Sequence, residues 1–187
     1  PEAPTLPGYT FNGWDQDFAN VTGDLVVSAK KTEYSANDYT LTFNAEGGTV
    51  FPAFRIVTFD SALGTLPVPT RTGYDFAGWN TLADGTGTAF TDETVYSVAD
   101  DSTLHAIWTP KTDTAYTVQY YLENADSAGY TRIDSLTQVL SGTTGAAVTA
   151  PIPERDGFVF AAAHAGNLTE STILADGSLV LKVYYSR

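Results

Sequence analysis

Two histidines are the residues best suited to acid-base catalysis in this 187-residue chain. His105 alternates with the apolar residues Leu104 and Ala106, so we expect its side chain to face solvent from a strand. His164 lies in a run of small residues, 161–166, and the chain has no Gly-x-Ser-x-Gly nucleophile motif. We therefore predict that the chain is not an enzyme and has no catalytic or cofactor-binding residues.

Acidic side chains are the plentiful candidates for metal ligands, because the chain has no cysteine. Asp15 with Asp17, and Asp100 with Asp101, could bind calcium where two modules meet. Neither pair has the spaced oxygen ligands and the glycine of a calcium-binding loop. We interpret both pairs as solvated acidic surface and predict no metal site and no cofactor.

Two lysines raise the alternative of an intramolecular Lys-Asn isopeptide bond. Such a bond needs a buried lysine beside an acidic catalyst. Lys30 and Lys182 lie in predicted strands, where they alternate with the apolar face or end it. The pattern therefore favours ordinary solvated lysines over a covalent crosslink.

An aromatic pattern, Gly-Tyr-x-Phe-x-Gly-Trp, occurs at 8–14 and 73–79, with a looser version at 156–162. Exposed Tyr and Trp rings stack on sugars and peptides, so these segments could form a ligand platform. Their alternation also fits anchoring in a small core, which is the role we predict. A unit written three times indicates an array of similar modules.

The charge of the chain restricts its partners. Its formal net charge is -13, and its nine Lys and Arg residues are scattered singly. Such a surface repels phosphate backbones and anionic lipid headgroups, so we predict no nucleic-acid partner. No apolar run approaches the roughly 20 residues that span a bilayer, and no signal peptide opens the chain. We expect the sequence to be a segment of a longer protein, without membrane insertion in this segment.

Two complete modules are marked by strand-like openings at 39–43 and 116–120, where apolar and polar residues alternate. Each opening is followed by a second strand, a proline-containing extended segment, the aromatic segment and a closing strand. The abundance of Thr, Gly, Tyr and Val predicts a mainly β chain. We predict modules at 39–109 and 110–187, preceded by a partial module with its linker at 1–38.

The partial module has an aromatic segment and a predicted closing strand at 25–31, but no opening hairpin. Its unpaired strands would leave open edges, so it packs on its neighbour, pairs with another chain by strand addition, or is completed in a longer protein. Polar linkers at 32–38 and 109–115 are predicted to join the modules into an elongated, mostly monomeric array.

Residues 39–108 resemble the internalin-type B repeat, also called the Listeria-Bacteroides repeat. The resemblance rests on Phe-x-Ala-x-Gly-Gly at 43–48, Pro-Thr-Arg-x-Gly-Tyr-x-Phe-x-Gly-Trp at 69–79 and Leu-x-Ala-x-Trp at 104–108. Residues 7–31 are similar to the second half of this repeat. Residues 116–187 carry Ala162 in place of the tryptophan, and their ending is more similar to the mucin-binding-protein repeat.

The resemblance implies tandem β-grasp, or ubiquitin-like, modules, each a small mixed sheet with a short helix or helical turn. It also implies an extracellular setting on a bacterial surface or secreted adhesin, and no catalytic residues. The expected function is a stalk or spacer with weak multivalent contacts to a host protein or glycan. A dedicated glycan- or glycoprotein-binding module and an oligomer-forming assembly segment are the alternatives.

Overall fold

The computed structural model describes residues 2–17, 19–30 and 34–187. These residues form strands joined by turns and extended segments, with a single turn of 3-10 helix at Asp134–Leu136 among them. The prediction of mainly β modules is confirmed. The described strands are β1 (Tyr9–Phe11), β2 (Tyr34–Ala36), β3 (Asp38–Asn44), β4 (Phe54–Thr58), β5 (Tyr74–Asn80), β6 (Ala89–Phe90), β7 (Ser102–Pro110), β8 (Thr114–Glu123), β9 (Tyr130–Arg132), β10 (Gln138–Gly142), β11 (Ala147–Thr149), β12 (Val159–Phe160), β13 (Glu170–Thr172) and β14 (Val180–Ser186).

The sheet of the first complete module has five strands in the order β4-β3-β7-β5-β6. β3 and β4 form an antiparallel pair, and β3 lies parallel to β7. The first and last strands of the module are thus central neighbours, with the second strand outside the first. The sheet is small and contains both parallel and antiparallel pairs, as the resemblance to β-grasp modules implies.

The short helix implied by the family resemblance does not form in the described residues of this module. The segment between β4 and β5 contains Pro67 and Pro69, which fix φ and lack an amide hydrogen for a helical bond. The segment runs extended instead: the Leu66 amide donates to Asp92 Oδ1 at 2.9 Å, and Thr70 bridges to Thr49. No helix long and apolar enough to cross a membrane occurs in the residues described.

Apolar side chains on one face of the first sheet form its core. Alternation in β3 buries Leu41 and Phe43, and alternation in β7 buries Leu104 and Ala106. Trp79, at the far end of β5, is 3% exposed. Burial of these large side chains from water is the main stabilising contribution to so small a sheet.

The second module repeats the central arrangement with the order β10-β8-β14-β12. β14 lies parallel to β8, β9 pairs with the far end of β8, and β11 and β13 form a separate two-stranded sheet. The period-two pattern of β8 and β14 directs alternate residues into one core. The fully buried members of this core include Val118, Tyr120, Ile173, Leu181, Val183 and Tyr185.

The partial module packs on the first complete module, with which it belongs to one compact unit. β1 pairs antiparallel with β2, and the Asn37 amide donates to Gly8 O at 2.8 Å. The Tyr9 ring lies edge-on to Phe59 at 5.3 Å, and its hydroxyl donates to Asp60 at 2.8 Å. The partial module thus packs on its neighbour, whereas strand pairing with another chain and completion in a longer protein stay predictions.

The predicted closing strand at 25–31 is wrong for residues 25–30, which form no strand, while residue 31 lies outside the described residues. A strand needs a neighbour for its backbone groups, and the partial module has no opening hairpin to provide one. Val26 is accordingly 81% exposed.

The predicted linkers are largely strand. β2 occupies much of 32–38, of which residues 32 and 33 lie outside the described residues, and β7 and β8 leave only residues 111–113 between them. Threonine and tyrosine favour extended backbone, and pairing with neighbouring strands outweighs the polar character of these segments. The chain divides into two compact units, residues 1–70 with 76–107, and residues 71–75 with 108–187.

Candidate functional site

The aromatic segment of the first complete module serves its core. The Trp79 ring packs against Phe43 at 5.1 Å and Phe76 at 5.4 Å. Its indole Nε1 donates a hydrogen bond to Pro67 O at 2.9 Å, which satisfies the polar edge of the buried ring. Tyr74 is half-buried, with the Arg71 guanidinium 4.1 Å above its ring. The prediction that this segment anchors a core is confirmed for Trp79.

A groove of about 500 Å³ runs beside Trp79. Its lining includes the apolar residues Pro67, Val68 and Phe76 and the acidic residues Asp92 and Glu93. Asp92 is partly engaged, because its Oδ1 accepts the Leu66 amide. The groove combines apolar side chains with carboxylates, a chemistry suited to neutral or cationic groups rather than to anions.

The second module replaces the tryptophan with a tyrosine from another strand. Aligned on Gly73 and Gly157, the position of Trp79 falls on Ala163 rather than on Ala162, and no indole is available there. Tyr120, at the position in β8 that Phe43 has in β3, donates its hydroxyl to Pro151 O at 3.0 Å. Pro151 is two residues before Pro153 as Pro67 is before Pro69, so equivalent carbonyls are satisfied in both modules. Burial raises the pKa of the Tyr120 hydroxyl, with a smaller contribution from Tyr185.

A second groove, of about 430 Å³, lies beside the aromatic segment of this module. Phe158, Phe160 and Tyr185 line it, together with Arg155. The Arg155 guanidinium lies 4.8 Å from the Tyr120 ring centroid and 5.3 Å from that of Tyr185. Stacking on two rings holds the guanidinium against the core and fixes its orientation.

Alternation predicts that His105 faces solvent, but its side chain is partly buried and hydrogen-bonded. It lies on the face opposite Leu104, but its Nδ1 donates to Glu46 Oε1 at 2.6 Å, and its side chain is 24% exposed. Glu46 comes from the turn after β3, which β7 reaches because the two strands are parallel neighbours. The pair ties a turn to a strand, and sequence alternation contains no signal for it.

His164 is part of an aromatic cluster that sequence reasoning missed. Its ring stacks on Tyr184 at 4.0 Å and meets the edge of Tyr130 at 4.5 Å. Tyr184 in turn stacks on Tyr121, with centroids 4.5 Å apart and planes 9° apart. All four rings are half-buried on the face opposite the core. Burial raises the pKa of the Tyr184 hydroxyl, and Tyr121 adds a smaller contribution.

The signal for this cluster was present in two tyrosine pairs. Tyr120 with Tyr121, and Tyr184 with Tyr185, are adjacent residues in strands, so one member of each pair must point to each face. The parallel register places Tyr184 beside Tyr121. Only the partnership of β8 with β14, which the sequence does not state, brings the outward rings together.

The acidic pairs are used in local structure. Asp15 accepts the Ser28 amide and lies 3.5 Å from Lys30, and Asp101 accepts the Thr40 amide at 2.7 Å. No group of three or more metal-binding side chains occurs in ranges 2–17, 19–30 and 34–187. The Lys30 side chain is 64% exposed, which does not fit the buried lysine of an isopeptide bond. Lys182 is half-buried and lies beside Gln119 in β8.

The first complete module, with its three ordered sequence blocks, matches a known repeat family. Residues 39–107 match the family model of the Listeria-Bacteroides repeat domain. The repeat thus runs from the second residue of β3 into β7 and contains Trp79 and its groove. The recognition of an internalin-type B repeat is confirmed for these residues. The similarity of the second module to the mucin-binding-protein repeat stays a prediction.

Curated relatives extend the similarity beyond this repeat domain. Internalin H of Listeria monocytogenes is 33% identical over 117 residues, which cover 58% of this chain and 21% of that protein. A protein of Evansella cellulosilytica named as a membrane protein is 31% identical over 121 residues, 58% of this chain and 18% of its own length. A second protein of that organism, named as a Gly-rich membrane protein, is 25% identical over 174 residues, 82% of this chain and 19% of its own length.

The chain spans about a fifth of the length of the curated relatives it matches. The similarity is to a repeat segment of bacterial cell-surface proteins.

Proposed function

We propose that this chain is a non-catalytic stalk or spacer segment of a bacterial cell-surface or secreted adhesin. The observation that carries the proposal is the inward use of the aromatic segment, with Trp79 buried and its indole bonded to Pro67 O. A spacer needs stable modules rather than an exposed recognition surface, and each module buries aromatic side chains, Trp79 in the first and Tyr120 and Tyr185 in the second.

Weak contacts to host proteins or glycans belong to the same proposal. Repeated modules raise the effective concentration of each weak site, so an array adheres where one module would not. The similarity to internalin-type repeats supports the cell-surface setting. The groove beside Trp79 is a candidate for such a contact.

A binding screen with the chain displayed on multivalent beads tests this proposal. Glycan arrays and host surface proteins are offered to the complete 187-residue chain. The spacer function predicts no saturable binding by the soluble, single chain, and at most weak capture by the beads. Saturable binding by the single chain would contradict it.

A dedicated binding module is the second candidate, favoured by the half-buried cluster of Tyr121, Tyr130, His164 and Tyr184. Ring edges and hydroxyls at a surface suit sugar or peptide ligands. Tyr121→Ala should abolish binding at this cluster, whereas Val139→Ala, on an exposed edge strand of the same module, should not. Equal binding by both variants would exclude the cluster as the site.

A further inference from the structure

β4 is the outermost strand on one side of the first sheet. The Phe43 amide donates to Ala53 O, and the Phe59 amide donates to Asn37 O, so the odd-numbered residues of this strand bond toward β3. In an antiparallel pair the residues between them direct their N–H and C=O groups away from the partner. Residues 54, 56 and 58 therefore present backbone donors and acceptors at the free edge of the sheet.

Two of the three β4 side chains on the outer face of this edge, Phe54 and Ile56, are apolar. Phe54 and Ile56 are each 59% exposed, and Phe51, in the preceding turn, is 94% exposed. The segment 47–59 contains no acidic residue, although the chain has 22. Arg55, its one charged residue, donates to Thr65 O. Natural sheets protect free edges with outward charges or proline, and β4 has neither on its outer face.

The equivalent edge of the second module differs. Val139 lies across from Thr117 in β8 as Ile56 lies across from Thr40 in β3. Val139 is exposed, but its neighbour on the same face is Ser141 rather than an aromatic residue. The apolar edge is thus specific to the first module, and Val139 provides a matched control position.

We propose that β4 pairs antiparallel with β4 of a second copy of this chain, about a two-fold axis at Ile56. In this register Ile56 faces Ile56 of the second copy, and Phe54 faces its Thr58. Residues 54, 56 and 58 carry the outward backbone groups in both copies, so every donor meets an acceptor. Such a self-complementary, isologous contact closes as a dimer and continues the sheet from one copy into the next.

The charge distribution is compatible with this pairing. Asp38, which accepts the Thr58 hydroxyl at 2.7 Å, is the acidic residue paired with β4. With strands about 4.8 Å apart and about 3.4 Å per residue, the two Asp38 residues would be roughly 20 Å apart. That separation exceeds the Debye length of about 8 Å at physiological salt. The repulsion between two chains of net charge -13 then comes from their overall charge and not from a specific pair of residues. Because added salt screens this repulsion, we expect it to strengthen the dimer.

A single cysteine tests the register, because the chain has none of its own. Residues in a hydrogen-bonded antiparallel pair have Cα atoms about 5.5 Å apart, within disulfide range. Under mild oxidation, Ile56→Cys should form covalent dimers at least about tenfold faster than Phe54→Cys or Val139→Cys. Phe54→Cys mixed with Thr58→Cys should crosslink efficiently. Equal rates for all single variants would overturn the proposed register.

Sedimentation equilibrium of the complete chain tests the dimer itself. We expect a reversible monomer-dimer equilibrium that shifts toward dimer with salt. Ile56→Pro removes an outward amide without touching the bonds to β3, and should weaken dimerisation at least about tenfold. Val139→Pro, checked like Ile56→Pro for a native circular dichroism spectrum, should not. A strict monomer at all concentrations overturns the proposal, as does weakening of the dimer by salt.

Discussion

At the scale of single residues, the two modules satisfy an equivalent proline carbonyl in two ways. Trp79 reaches Pro67 O from β5, and Tyr120 reaches Pro151 O from β8. Loss of a hydrogen-bond donor from a partly buried bond is destabilising, so the absence of an indole at Ala163 favours a replacement donor. The hydroxyl of Tyr120, at the position of Phe43, is that replacement.

Tyr120→Phe should therefore destabilise the second module by about 1–2 kcal/mol, since the ring stays and the donor to Pro151 O is lost. Urea unfolding measures the change. Tyr121→Phe is the matched control, because its hydroxyl bonds to half-buried Gln119 at the surface, and should cost less than about 0.5 kcal/mol. Equal costs would contradict the role assigned to Tyr120.

Alkaline pH should destabilise the chain through its buried tyrosines. Burial is the largest cause that raises the pKa of Tyr96, as of Tyr120, above the ordinary value of 10.0. Because the pKa of these tyrosines is higher in the folded than in the unfolded state, their contribution to stability is fully present below pH 10. It is lost as pH rises through the folded-state pKa. Thermal melts from pH 8 to 12 should show falling midpoints above about pH 10. Tyr96→Phe should flatten this fall, and an unchanged slope would contradict it.

Sequence patterns predicted the burial of Trp79 but not the identity of its hydrogen-bond partner. Burial follows from local alternation, whereas the bond to Pro67 depends on how the proline segment crosses the sheet. The Glu46–His105 pair and the cluster around Tyr184 were missed for the same reason, since both join segments distant in sequence.

At the scale of elements, the partial module is held by a close backbone contact. Gly8 has φ of +79°, and a Cβ there would lie 2.4 Å from the Phe59 ring. Glycine is thus required both for the turn before β1 and for the approach to Phe59. The element depends on this contact because β1 and β2 alone make a two-stranded sheet, which is marginal in water.

Gly8→Ala should release the partial module from the first complete module. Hydrogen exchange should then lose protection at 9–11 and 34–37, while β3 and β7 keep theirs. Gly13→Ala is the control that distinguishes backbone strain from the steric clash with Phe59. Gly13 also has a positive φ, but a Cβ added there has no atom within 4 Å. Similar losses in both variants would show that backbone strain, and not Phe59, decides the docking.

The sequence predicted the strands of both complete modules better than their surroundings. Alternation and proline marked β3, β8 and the extended segments, but the strand at 25–31 was extrapolated from repeats that have an opening hairpin. A five-residue turn, Leu-Ala-Asp-Gly followed by Thr or Ser, recurs at 82–86 and 174–178 and went unrecognised. The turn lies between β5 and β6 in the first module and between β13 and β14 in the second. The two copies therefore do not occupy equivalent positions when the modules are aligned.

At the scale of the whole molecule, two compact units imply two cooperative unfolding events. Calorimetry should resolve two transitions. Trp79→Ala should lower the midpoint of only one transition, because it reduces the free energy of unfolding of its unit by about 3–5 kcal/mol. Val183→Ala should lower the midpoint of the other transition, with a loss of about 1–3 kcal/mol. A single transition displaced by either variant would show that the units unfold as one.

The parallel pairing of first and last strands has a mechanical consequence. A chain stretched between the start of β3 and the end of β7 pulls two adjacent parallel strands in opposite directions along their length. Their hydrogen bonds are then loaded together in shear instead of being unzipped one at a time, and β8 with β14 shares this geometry. Single-molecule stretching should give two force peaks, each higher than that from pulling the β3–β4 hairpin apart across its strands. The modules would act as load-bearing clamps under flow.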